Sequence, residues 1–271
     1  MADTNRSISP VLYFPHGGGP MPLLGDGGHR HMVDFLIRIT AQLGEPSAIL
    51  VISAHWEEDQ ATITSGKFPP IIYDYFGFPP ESYQITYPAP GNPALARKIY
   101  ELLKKSGIDA RMDEQRGFDH GLFVPLKIMY PDARIPCVQL SLLEGLDPAA
   151  HIQLGKALSG LRDQNVLILG SGFSFHNMQA FFSSNAGQPD SKNESFQRWL
   201  IETCTDKNLS GEGREGKLIN WQSAPFARYC HPREEHLIPL HVCTGLTGSS
   251  GSVAFDGQVL GKRAIGLLWE A

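Results

Sequence analysis

Val166-Leu-Ile-Leu-Gly-Ser-Gly-Phe-Ser-Phe-His176 is the stretch whose reading decides the fold. Its first part, VLILG (166–170), is apolar without alternation and stops at glycine, as a strand buried on both faces of a sheet reads. VLYF (11–14), AILVIS (48–53) and PCVQLS (136–141) repeat the pattern. Segments of helical period lie between them. Asn92 and Pro93 form an N-cap and first-turn proline, Leu95, Ile99, Leu102 and Leu103 recur at i, i+4, i+7 and i+8, and Gly107 stops the helix. Asp147-Pro148 repeats the device ahead of Leu154, Ala157, Leu158 and Leu161, and a third helix carries Phe196, Trp199, Leu200 and Thr203. This alternation predicts an α/β fold: one domain over residues 1–271, with a central, mostly parallel or mixed sheet flanked by helices. The Gly, Ser and Asn-rich stretch from Ser183 to Asn193 reads as a surface loop.

Composition narrows the class. The 271 residues are 42% hydrophobic and 19% charged, an ordinary globular balance that excludes a disordered or fibrous chain. A formal charge of −5 and the lack of a Lys/Arg cluster argue against nucleic acid as a partner. The start, MADTNRSISP, lacks the basic end and apolar run of a signal peptide, and runs such as Ala48 to Ile52 fall far short of a membrane span, which takes about 18 residues. Cys137, Cys204, Cys230 and Cys243 form no CxxC pair and are expected as free thiols. A soluble, cytoplasmic chain without membrane partners is expected; monomer and homodimer both stay open.

In open α/β sheets ligands bind beyond the carboxyl ends of the strands. Three strand ends here deliver a histidine: His16 in Pro15-His-Gly-Gly-Gly19, His55 in Ala54-His-Trp56, and His176. Gly117-Phe-Asp-His120-Gly121 and His231-Pro-Arg-Glu-Glu-His236 add others. One such histidine is usually structural, but several converging suggest a shared metal, because imidazole is the commonest metal ligand. The segment HPREEH is not the HExxH of zinc proteases, since a spacing of five places its histidines about 140° apart on a helix. Pro232 is expected at the first position of a helix, with His231 as its cap and His236 inside it; His241 reads as core or as support behind the site. Gly17 to Gly19 lack a phosphate-loop Gly-Lys, and Ser171 lacks the flanking glycines of a hydrolase elbow. Those three glycines either let backbone approach a ligand or form a tight turn.

Taken together, His16-Gly-Gly-Gly-Pro-Met21, Val51-Ile-Ser-Ala-His-Trp56, Phe76-Gly-Phe-Pro79, Tyr87-Pro-Ala-Pro-Gly91, Gly117 to Gly121, Tyr130-Pro-Asp132, Val138-Gln-Leu-Ser141, Gly170 to Asn177 and His236-Leu-Ile-Pro-Leu240 resemble class III extradiol ring-cleavage dioxygenases of the DOPA 4,5-dioxygenase type, in the LigB-like superfamily. The matches run in order across nearly the whole chain. Gly18-Gly19 departs from the His-Gly-Ser-Pro form of bacterial relatives, a change that bears on substrate preference.

The resemblance implies a mononuclear metal held by His16, His55 and His236, with His176 as acid/base residue and His120 beside the substrate. Gly18 and Asp119 are further candidates for substrate contact, Asp119 either orienting His120 or capping the turn. Three neutral imidazoles replace the two-His, one-carboxylate set of the wider superfamily. Such a site also accepts zinc, so Zn(2+) is expected in purified protein while turnover requires Fe(II), zinc having no redox chemistry. The implied reaction opens a catechol ring, of DOPA or a related ortho-diphenol, with O2 to give a semialdehyde. Two alternatives stay open: a zinc-dependent hydrolase in which the same metal activates water, or, since the resembled fold also serves in recognition, a non-catalytic binding protein of the same fold. The native catechol and the choice between 4,5 and 2,3 cleavage stay open.

Overall fold

The four apolar runs lie side by side in the middle of one sheet. A computed structural model describes residues 8–183 and 188–270; the polar start up to residue 7 and positions 184–187 of the expected surface loop lie outside the described residues. The strands are β1 (Val11–Pro15), β2 (Ala48–Glu58), β3 (Ala61–Thr64), β4 (Ala110–Asp113), β5 (Cys137–Leu143), β6 (Val166–Gly172), β7 (Ser252–Val259) and β8 (Lys262–Trp269), in the order β4-β3-β5-β2-β6-β1-β8-β7. β5, β2, β6 and β1 are mutually parallel, whereas β3 meets β5 and β8 meets β1 antiparallel, so the sheet is mixed. β1 and β6 are buried at every position, as two-sided cover requires.

Helices α1 (Arg30–Leu43), α2 (Pro93–Lys105), α3 (His120–Met129), α4 (Pro148–Ala157), α5 (Met178–Phe181), α6 (Ser191–Thr205), α7 (Gly211–Ile219), α8 (Ala227–Cys230) and α9 (Ile238–Thr247) complete the fold. The expected caps form: Asn92 accepts the Leu95 N–H, and Asp147 accepts those of Ala149 and Ala150. The expected loop to Asn193 ends earlier, because Asp190 caps α6 by accepting the Asn193 N–H. All four cysteines are buried free thiols. No helix among the described residues is long and apolar enough to cross a membrane.

Register brings the strand ends together. Pro15 pairs with Gly172, and Ser53 with Ser171, so His16, His55 and the segment leading to His176 emerge at one edge. β2 runs beyond its expected end, and an irregularity between Ile52 and Glu57 spans His55, the kind of local kink that re-aims a side chain. Glycines of β6 allow α9 to dock without intervening side chains. A Cβ on Gly170 would lie 2.5 Å from Cys243 Sγ, and one on Gly172 would lie 2.2 Å from the His236 carbonyl oxygen. That close approach draws His236 onto the edge where β1 and β6 end.

The segment HPREEH departs from its expected form. His231 follows α8, and no helix starts at Pro232; the first turn of the next helix uses Pro239 instead, leaving His236 in the turn before α9. The physical reason is that His231 is wholly buried with Nε2–H donating to the Ser174 carbonyl, which fixes the chain where a helix cap would have to turn outward. His241 is also wholly buried, its ring set against the Leu218 and Leu237 carbonyls, as a core residue.

Two histidines away from the sheet edge make stability sensitive to acid. Burial pushes His151 down to about 4 and His231 to about 3. Their folded values lie below the unfolded value of about 6.5, so the unfolded chain takes up protons first and stability, complete above that value, falls as pH drops. The pair alone is expected to cost about 3 kcal/mol between pH 6.5 and 5. Urea unfolding across that range measures it, and a midpoint that does not move would refute it.

Candidate metal centre

His16 follows β1, and its backbone N–H bonds the Gly172 carbonyl at 3.1 Å. Its Nδ1–H donates to Ser171 Oγ at 3.0 Å, and that hydroxyl in turn donates to the Gly121 carbonyl. The tautomer is thereby set, and the Nε2 lone pair faces the cleft. His55 Nε2 lies 2.9 Å from it. Gly121 permits the approach of α3, since a Cβ there would fall 2.4 Å from Ser53 Oγ and 3.2 Å from His55 Cδ2. His236 closes the group: one ligating nitrogen from each of His16, His55 and His236 lies within 4.8 Å of the others.

The electrostatics suit a cation. Burial, reinforced by neighbouring imidazoles, holds His16, His55 and His236 well below the ordinary histidine range, so each is neutral and offers a lone pair. Two nitrogens about 2.1 Å from one ion and at right angles to each other would be about 3 Å apart. The His16–His55 separation fits that. The donor set therefore fits a single divalent metal with protein ligands on one side.

Two further imidazoles flank the three, each held by a carboxylate. His120 donates its Nδ1–H to Asp74 Oδ2 at 2.8 Å and its backbone N–H to Asp74 Oδ1 at 2.9 Å. Burial would raise the Asp74 carboxyl, but the two hydrogen bonds from His120 hold it below its usual range. His176 stacks on His236 with centroids 3.5 Å apart, and its Nδ1 lies 3.0 Å from Glu235 Oε1, which also accepts from His236 Nδ1 at 2.9 Å. Burial opposes the charge on Glu235 as well, and the His176 bond overrides it. In both pairs Nδ1 is occupied and Nε2 has no hydrogen-bond partner among the described residues.

One expected substrate contact, Asp119, is wholly buried, accepting bonds from Ser53 Oγ, Gln139 Nε2 and, at 3.4 Å, Arg116. It braces β2 behind His55 and has no face toward a substrate, and burial with the nearby Asp74 charge raises its carboxyl. Orientation of His120 belongs to Asp74. The Gly18 N–H is taken by His29 Nε2 at 2.9 Å, and its carbonyl accepts the Met21 N–H. Asp74 and Glu235 were not among the residues singled out from sequence; adjacency to His236 was a signal for Glu235, whereas Asp74 sits in a loop without periodicity.

An α/β sheet whose carboxyl edge gathers three lone-pair imidazoles beside two carboxylate-held ones defines a metal-dependent α/β enzyme. Residues 25–266 match the family described as the catalytic LigB subunit of aromatic ring-opening dioxygenase, and the chain belongs to that family. It is an extradiol aromatic ring-opening dioxygenase. The chain is 40% identical over 288 residues to the dioxygenase tasH of Hapsidospora irregularis, covering 99% of this chain and 87% of the relative. It is 40% identical over 268 residues to the 4,5-DOPA dioxygenase extradiol of Beta vulgaris, covering 94% of each. A crystal structure of an uncharacterized protein from Escherichia coli K12 superposes with a TM-score of 0.75 at 28% identity, covering 96% of this chain and 99% of that one. Neither the hydrolase nor the non-catalytic alternative is favoured by these relatives.

Proposed function

We propose that the chain uses Fe(II), held by His16, His55 and His236, to open a catechol ring beside its two hydroxyls with O2, giving a semialdehyde that retains both oxygen atoms. The observation that carries this reading is the pairing of the three-imidazole group with two imidazoles whose Nδ1 positions are already bound to Glu235 and Asp74. When bound, Fe(II) supplies the electron transfer between ring and O2 that zinc cannot, although zinc fits the same donors. His176, with Nδ1–H anchored on Glu235, presents Nε2 to take a catechol proton and later return it; an imidazole is suited to both steps near neutral pH. His120, anchored on Asp74, presents Nε2 to hydrogen-bond the substrate. The 4,5-DOPA dioxygenase relatives support a DOPA-like ortho-diphenol as the first substrate to try.

Anaerobic loading with Fe(II), followed by air and a panel of DOPA, caffeate and 4-methylcatechol, tests the reading through O2 uptake and the yellow absorbance of ring-opened product. Stoichiometric uptake with at least one catechol is expected, with none for the zinc-loaded protein. Ester or amide hydrolysis by zinc-loaded protein, with no O2 uptake after iron loading, would overturn it in favour of a hydrolase.

A further inference from the structure

His29 stands apart from the five imidazoles at the sheet edge, yet it is wholly buried and both its ring nitrogens are engaged. Nε2 accepts the Gly18 N–H at 2.9 Å, so the ring proton is on Nδ1, which donates to Asp26 Oδ2 at 2.7 Å. The ring also fills the inner side of the glycine turn that follows His16. A Cβ on Gly17 would lie 2.6 Å from Pro22 Cγ and 2.9 Å from His29 Cδ2, and φ is +90° at Gly17 and +55° at Gly19, values that favour glycine. On its other side the turn meets an aromatic wall. Phe78 would be 3.1 Å from a Cβ on Gly19, Phe78 packs edge-on to Tyr75 at 5.4 Å, and Tyr75 packs edge-on to His120 at 5.8 Å. The turn thus joins His16 to the wall that ends at His120.

We propose that His29, fixed by Asp26, is a positioning residue: it holds Gly17 to Gly19 in place and so sets where a substrate ring sits between His16 and the Tyr75–Phe78 wall. This rests on reading the cleft as a catechol site. The ring of His16 is oriented independently, by Ser171. Metal binding and substrate placement should therefore separate. His29→Leu keeps the bulk of the ring but offers no acceptor to the Gly18 N–H; His29→Gln restores a carbonyl acceptor; Asp26→Ala removes only the group that fixes the tautomer, at a partly exposed position.

The measurements are zinc content, the Kd of 4-nitrocatechol under anaerobic conditions, and KM against kcat for a cleaved catechol. In His29→Leu, Kd and KM are expected to rise about tenfold, the scale of one lost hydrogen bond that leaves a buried donor unpaired, while zinc content and kcat stay within about threefold of the parent. Asp26→Ala should move the same way by less, and His29→Gln should recover most of the loss. If the parent binds 4-nitrocatechol and both His29→Leu and Asp26→Ala bind it equally well, the inference is wrong and the functional reading stands. Loss of zinc in step with loss of 4-nitrocatechol in Asp26→Ala would also overturn it, because the residue would then support the whole site. If the parent itself binds no catechol, the functional reading fails and this one falls with it.

Discussion

Alanine at His16, His55 or His236 is expected to remove metal and ring cleavage together. The three rings come from the end of β1, the irregular stretch of β2 and the turn before α9, so no local motif can hold an ion if one of them is lost. Two of them have Nδ1 bonded to a neighbour, His16 to Ser171 and His236 to Glu235, which directs Nε2 inward before any ion arrives. Removing a partner behind a metal ligand typically weakens binding by about 10- to 100-fold, and removing the ligand itself should exceed that. Glu235→Gln supplies the graded comparison, since its amide oxygen can still accept from the imidazoles but no longer carries the charge that faces both of them. Metal analysis of dialysed protein, with initial rates on the same samples, measures both quantities. A variant with one metal per chain after dialysis would take that histidine out of the ligand set.

The centre of this fold was legible because parallel strands covered on both faces must be largely apolar, and β1, β2, β5 and β6 each carry a mostly apolar run of that kind. The edges were not. β3 and β4 are four residues each, too short for a pattern to rise above composition. β7 is exposed along much of its length, and its hairpin to β8 turns through Leu260 and Gly261, both at positive φ. The usual sequence signal at such a turn is Asn-Gly or Asp-Gly, and leucine in the first place hides it.

Within the site the same division holds. Strand-end histidines are visible because topology alone sends the residues after parallel strands to one edge. His236 was placed through family resemblance, and the local reading of its segment as a helix failed because Pro232 looks like a helix start while Pro239, seven residues on, is one. Asp119 illustrates the reverse error. A carboxylate beside His120 in sequence need not face what His120 faces: it turns to Ser53 and Gln139 under the sheet edge, and Asp74, forty-six residues away, meets the imidazole. Which of two carboxylates pairs with a given ring is a tertiary fact, and spacing does not encode it.

His176→Ala is expected to keep its metal and lose turnover. His176 follows β6, where Ser174 turns inward to bond the Ile265 N–H and the backbone N–H of His176 itself bonds the Cys230 carbonyl, so the loop is fixed without help from the imidazole. Removing the ring should therefore leave the loop in place. The ring lies against His236, and its only bonded partner among the described residues is Glu235, which keeps His236 when His176 is gone. His176 shares a candidate ligand group with Glu235 and His236 but not with the His16–His55 pair, and with Nδ1 held by Glu235 it is proposed as the proton acceptor rather than a fourth ligand. Losing a general acid/base typically costs about 10²- to 10⁴-fold, and two proton transfers through one group place the loss near the upper end. Iron content and initial rate on one purified sample decide the matter. Full iron with a rate within a few-fold of the parent would leave His176 as packing for His236, and lost iron would make it a ligand, forcing the three-imidazole assignment to be redrawn around the Glu235 pair.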